Sequence, residues 1–275
     1  MRECRHPSGL GSGPTIPAMT ATVSARGLTH RFGPLDVLGG VDLEIEAGAL
    51  LALAGPSGSG KSTLLEITGG LREQSGGLVE VNGSADAAGR LRGCAWMPQR
   101  DCLLPWYSAL DNASLALVNQ GKSRREARKS AAERFEHFGL EGFETARPDE
   151  LSGGMRQRVA FIRTLLSAKP VLLLDEPLAA LDAITRAELQ EWLTPVLRES
   201  GATVLLVTHD VEEAIYLADR VTVLSPRPGR SIATIDGMRG SPGRRDEVVS
   251  SPAFNRKREE LLGLLRSDQA RGAAR

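Results

Sequence analysis

The sequence predicts an α/β fold, a mainly parallel sheet with helices packed on its faces. Two observations point there. In the second half of the chain, short apolar runs alternate with helical periods: VLLL, ITRAELQEWL, TVLLV, VEEAIYLAD and RVTVL follow one another, and strands that re-enter a sheet in parallel need such crossovers. Earlier, the stretch GPSGSGKST at 55–63 lies between the apolar LLALA and the helical TLLEITGG. That is the strand–loop–helix context in which G-x-x-x-x-G-K-[ST] cradles a phosphate.

Taken in order, residues 1–20 are rich in Gly, Pro and Ser and lack the apolar centre of a signal peptide; a disordered tail is expected, with Met19 a possible start. TVSARGLTHRF and VDLEIEAGALLALAG are strand-like, with Val41, Leu43 and Ile45 alternating before a turn at Gly48. GLVEVNG and GCAWMPQ are further short strands. Ser123 and Glu126 have capping-box spacing ahead of ARKSAAERFEHF. A helix is expected from about Gly154 to Ala168, with Met155, Val159, Ile162 and Leu166 on one face and Pro170 as its stop. ITRAELQEWL is helical, and Pro195 is expected to end or kink it. Asp210 with Glu213 caps VEEAIYLAD. SPRPG marks a turn, after which the chain looks loosely packed until a helix near KREELLGLLR.

Composition narrows the function. The 275 residues are 41% hydrophobic and 25% charged, and 34 basic residues balance 34 acidic ones. That balance argues against a general nucleic-acid binder, which carries a basic excess. Cys4, Cys94 and Cys102 are odd in number and have no metal-ligand spacing, which suits a reducing compartment and no disulfide framework. No apolar run approaches the ~18–20 residues that cross a bilayer. If the protein works at a membrane, another chain does the spanning.

The chemistry-bearing residues begin with the P-loop, Gly55, Pro56, Ser57, Gly58, Ser59, Gly60, Lys61, Ser62 and Thr63. Its backbone N–H groups can curl around phosphates at a helix N-terminus. Lys61 is placed to reach the β- and γ-phosphates and Ser62 to ligate Mg²⁺. In VLLLDEP the strand ends on two acids. Asp175 is the candidate Mg²⁺ holder and Glu176 the candidate general base toward water. His209 in VTHD follows another buried strand and can meet the γ-phosphate or orient the water. Gln99, after the strand-like CAWMP, can bind Mg²⁺ or water through its amide. His6, His30 and His137 have no such context.

With LSGGMRQR at 151–158 and LAALD at 178–182, these motifs occur in the order and rough spacing of the ATP-binding cassette (ABC) ATPases, which the chain resembles over about residues 22–230. The resemblance implies a P-loop NTPase of ABC type: a mixed sheet core with an antiparallel β subdomain and a helical subdomain at about 100–168. The ATPase domain would span 21–236, followed by a C-terminal extension at 237–275. It implies ATP and Mg²⁺ as ligands and a catalytic set of Glu176, His209, Gln99 and Lys61, with Ser62, Gln99 and Asp175 at the metal. Nucleotide contacts would extend to Phe32, where the family usually stacks a Tyr on adenine, and to Ser152, Gly153, Gly154, Gln157 and Asp182.

In that family two cassettes pair head to tail, and the LSGG of one closes over the ATP held by the other. This would give the chain a use for two phosphate-binding loops. The partners implied are a second cassette, identical or related, and an integral membrane permease docking near Gln99, Leu104 and Trp106. An extracytoplasmic solute-binding protein takes part indirectly, nucleic acid does not, and the site of action is the cytoplasmic face of the membrane. LLPW followed by DN, and SPRPGR at 225–230, resemble importer ATPases for nitrate, sulfonates and taurine. Leu178–Ala179 departs from the Phe-Gly frequent in that group. The alternative, a soluble ABC ATPase acting on nucleic acid or ribosomes, ordinarily carries two cassettes, a coiled-coil insertion or a basic surface.

Overall fold

The computed structural model describes residues 21–179 and 181–272; the expected N-terminal tail, with Cys4 and His6, lies outside them. Among the described residues nine strands form two sheets. The smaller is antiparallel: β1 (Val23–Phe32) pairs with β2 (Leu35–Ile45) on one side and β4 (Gly76–Val81) on the other. The larger has the order β5-β6-β7-β3-β8-β9, built from β3 (Leu50–Ala54), β5 (Cys94–Met97), β6 (Val171–Asp175), β7 (Thr203–Val207), β8 (Arg220–Leu224) and β9 (Ser231–Asp236). All its pairs are parallel except the one between β8 and β9.

The unbroken apolar runs follow from burial on both faces. Along β3, Leu50, Ala52 and Ala54 join one hydrophobic cluster while Leu51 and Leu53 join the other. Likewise Leu172 and Leu174 of β6 face away from Val171 and Leu173. A strand that alternates between two cores has no polar side, so it reads as a continuous run. One face is covered by the antiparallel sheet and α1 (Lys61–Thr68), through Leu28, Val41, Leu64 and Ile67.

The other face carries helices. They include α3 (Ala109–Asn119), α4 (Arg124–Phe135), α5 (Gly153–Leu165), α6 (Ala183–Ser200) and α7 (Val211–Leu217). A short α2 (Ala87–Gly93) sits between β4 and β5. The capping box of α4 is formed by Ser123 and Glu126, and α5 covers Met155 to Ile162 as expected but closes at Leu165, ahead of Pro170.

Two expectations are corrected. Pro195 does not end α6, which runs on to Ser200 and closes at Gly201 with φ 61°. Pro195 and Glu191 are exposed, so the Glu191 carbonyl that proline deprives of its donor can be hydrated. The chain beyond the SPRPG turn is also well packed. β9 extends the large sheet, and α8 (Arg245–Ser250) and α9 (Pro252–Gly272) follow. Val248, Phe254 and Leu261 from this region are buried in the helical-side core.

Candidate functional site

The parallel strands bring the motif residues to one edge. Leu53 and Asp175 both pair with Val207, so β3, β6 and β7 end level with one another. The P-loop, Asp175–Glu176 and His209 leave these ends side by side. A crevice at the carboxyl ends of parallel strands is where open α/β sheets bind ligands.

In the P-loop, Gly58 has φ 78° and Gly60 φ 93°, a region an L-residue enters only at a cost. Lys61 is buried, and its Nζ donates to the carbonyls of Gly55 at 2.8 Å and Pro56 at 2.9 Å. Burial holds its pKa below the ordinary lysine value, opposed by the carboxylates of Glu176 and Asp175. A desolvated ammonium inside a glycine loop is poised for an anion.

Ser62 Oγ donates to Asp175 Oδ1 at 3.2 Å. Burial raises the Asp175 pKa, and the Ser62 bond works against it. Among the described residues no cluster of three or more His, Cys, Asp or Glu forms a protein cage for a metal. A hydroxyl beside a carboxylate, next to a phosphate loop, is instead the sparse oxygen set that fits Mg²⁺, which keeps waters and phosphate oxygens as its other ligands.

Glu176 has φ 46° and its N–H donates to Val207 O at 2.9 Å. That left-handed turn aims the carboxylate along the edge toward β5 and β7. Gln99 Nε2 donates to Glu176 Oε2 at 3.0 Å, and His209 Nδ1 lies 3.1 Å from the same oxygen. Gln99, expected at Mg²⁺ or water, and His209, expected at the γ-phosphate or water, thus both meet the Glu176 carboxylate. Oε1 is left without a bond to a described residue and can accept from water.

Ser152 caps α5 by accepting from Met155 N at 3.2 Å. The helix start packs against α6: a Cβ on Gly154 would meet Thr185 at 2.7 Å and one on Gly153 would meet Leu181 at 3.5 Å. No hydrogen bond among the described residues joins 152–157 to 55–63. Gln157 is only 6% exposed and its Oε1 has no partner among the described residues. Asp182 is exposed and caps α6, accepting from Ile184 N and Thr185 N; these bonds, that of Thr185 foremost, hold its pKa low.

Three residues were not anticipated. His30 meets the Phe32 ring edge-on at 4.7 Å, and the Arg72 guanidinium lies 4.6 Å above the same ring; Phe32 is 41% exposed. Arg186 donates to Asp210 Oδ2 at 3.1 Å and to Leu181 O at 2.9 Å, tying the segment before Asp182 to the one carrying His209. The meetings of Arg72 with Phe32 and of Arg186 with Asp210 are long-range and have no local pattern. Leu103 is buried, whereas Trp106 is exposed.

The chain is similar to known proteins over much of its length. The family model described as ABC transporter matches residues 38–179. The aliphatic sulfonates import ATP-binding protein SsuB 1 of Rhodococcus jostii (strain RHA1) is 44% identical over 89% of this chain and 94% of its own. The taurine import ATP-binding protein TauB of Sinorhizobium fredii (strain NBRC 101917 / NGR234) is 42% identical over 84% and 88%. Among solved structures, the dimeric post-hydrolysis state of the ATP-binding cassette MJ0796 bound to ADP and Pi is 31% identical, with TM-score 0.67 over 78% of this chain and 98% of that one. CbiO1 of Clostridium perfringens, part of the ABC transporter complex cbiONQ, is 26% identical with TM-score 0.71 over 86% and 93%. With its level strand ends, glycine phosphate loop and LSGG helix start, the chain belongs to the ABC transporter family and is one of its ATP-hydrolysing, nucleotide-binding subunits.

Proposed function

We propose that this subunit powers the import of a small sulfonate or taurine-like solute, working as a head-to-tail pair beneath a separate membrane permease. What supports the pairing is the likeness to the dimeric ATP-binding cassette MJ0796, together with the lack of any hydrogen bond between 152–157 and 55–63 among the described residues. Each of these two segments is half of a phosphate site, and an antiparallel partner completes both. The solute class rests on the sulfonate and taurine relatives. No helix among the described residues is long and apolar enough to cross a membrane; we place the subunit peripherally on the cytoplasmic face. Trp106, 66% exposed beside Leu104 and after Gln99, is a suitable knob for the permease.

In this reading Phe32 stacks on adenine through its π face. The P-loop amides from Gly58 to Thr63 hold the phosphates, and Lys61 sets its charge against the β- and γ-oxygens. Ser62 and Asp175 would hold Mg²⁺, with Gln99 as the further candidate ligand; when bound, the ion would neutralise charge developing on the transferred phosphoryl group. Glu176 takes a proton from the attacking water while His209 and Gln99 fix the carboxylate. ADP and phosphate are the products. The partner's α5 start, with Ser152 as cap and the Gly153 and Gly154 amides, closes on the γ-phosphate, and Asp182 lies at the same seam. Closure on ATP and release after hydrolysis supply the movement.

Glu176→Gln is expected to bind Mg-ATP normally and to lose hydrolysis by at least about 100-fold; turnover at the parent rate would remove Glu176 from the base role. Deletion of the gene should abolish growth of the host on taurine or alkanesulfonates as sole sulfur source. Undiminished growth on both would overturn the solute class.

A further inference from the structure

The stretch SPRPGR at 225–230 has no part in the chemistry above, yet it joins β8 to β9 directly beside the P-loop. Ser225 fastens the turn, its N–H donating to Arg230 O at 2.9 Å and its hydroxyl accepting from Arg230 N at 3.0 Å. Gly229 is stitched to β2, donating to Val37 O and accepting from Gly39 N, both at 2.8 Å. From this anchored base the turn and β2 grip successive P-loop residues. Arg227 Nε donates to Gly58 O at 3.2 Å. Gly229 abuts Ser59 O so closely that a Cβ would stand 2.1 Å from it, and a Cβ on Gly60 would meet Leu38 at 2.6 Å.

Arg227 and Gly58 are fitted to each other. A Cβ on Gly58 would lie 2.9 Å from Arg227 Nη2, and φ there is 78°. The phosphate-loop motif leaves this position open to any residue; here glycine makes room for a guanidinium. Arg227 is exposed, and among the described residues it has no ion pair and no hydrogen bond on its terminal nitrogens. A permanent cation therefore stands uncompensated on the loop that receives a polyanion.

We propose that Arg227 is a positioning residue for the triphosphate: it fixes the Gly58 carbonyl outward and adds a second fixed positive charge, after Lys61, to the P-loop. This rests on the nucleotide-site reading above. A charge acting on the phosphate tail distinguishes ATP from ADP, whereas a merely structural brace affects both alike.

The test is equilibrium titration with Mg-ATP and Mg-ADP in a Glu176→Gln background that blocks turnover. Arg227→Ala is expected to weaken ATP about tenfold and ADP about threefold. Arg227→Lys recovers most of the loss, Arg227→Gln does not, and the salt dependence of the ATP Kd becomes shallower. An ATP Kd within about twofold of the parent, or equal losses for ATP and ADP, would overturn the proposal. Lys61→Ala measured alongside separates the two readings, because intact ATP binding in that variant would strike at the nucleotide site itself.

Discussion

At the scale of single residues, the edge of the large sheet collects charges at a cost in stability. Glu213 shows this most plainly. It is 2% exposed, accepts from Thr208 Oγ1 at 2.8 Å, and burial pushes its pKa up to about 7. The folded state therefore holds a proton that the unfolded chain gives up from about pH 4.5. Stability is full below that pH and falls as pH rises toward 7, by on the order of 3 kcal/mol in all. Glu213→Gln keeps the Thr208 bond without titrating, so its melting temperature should exceed the parent's at pH 8 and match it near pH 4.5. A constant difference between those pH values would show that Glu213 does not titrate in this window. The P-loop residues were legible in the sequence because a backbone that wraps phosphate requires glycine at set intervals. The packing of His30 and Arg72 on Phe32, and of Arg227 on Gly58, was not. Arg72 on Phe32 and Arg227 on Gly58 join residues distant in the chain, and the short step from His30 to Phe32 leaves no periodic trace either.

At the scale of elements, the same division holds. Strands buried on both faces are written as unbroken apolar runs, so β3, β6 and β7 were legible as soon as the runs were noticed. The C-terminal region was not, because Val248, Phe254 and Leu261 are its few buried anchors among many charged neighbours. Phe254 is fully buried in the helical-side core, and Phe254→Ala should cost about 3–5 kcal/mol by chemical denaturation. A change below about 1 kcal/mol would mean that α9 is not part of the cooperative unit. Pro195 misled for the opposite reason: the local rule is sound, but an exposed helix face lets water satisfy the freed carbonyl. Between elements, Arg186 links the Leu181 carbonyl to Asp210 and so couples the two segments that carry Asp182 and His209. Arg186→Ala is expected to lower kcat about tenfold with the KM for ATP little changed. A raised KM at constant kcat would contradict that coupling and assign Arg186 to binding alone.

At the scale of the whole molecule, the P-loop and the LSGG helix start are the two features that the proposed pairing joins. LSGG was legible as a helix start, and Ser152 caps α5. Its purpose could not be derived from spacing alone, because in the proposed pair its contact lies on the other chain. The account makes each nucleotide the bond between two subunits. The most direct test is sedimentation velocity of Glu176→Gln over a range of protein concentrations, with and without Mg-ATP. The account predicts a chain of 29.4 kDa without nucleotide, conversion to a species of twice that mass when Mg-ATP is added, and loss of that species in Ser152→Arg. A protein that binds Mg-ATP and remains a single chain at every concentration would contradict it.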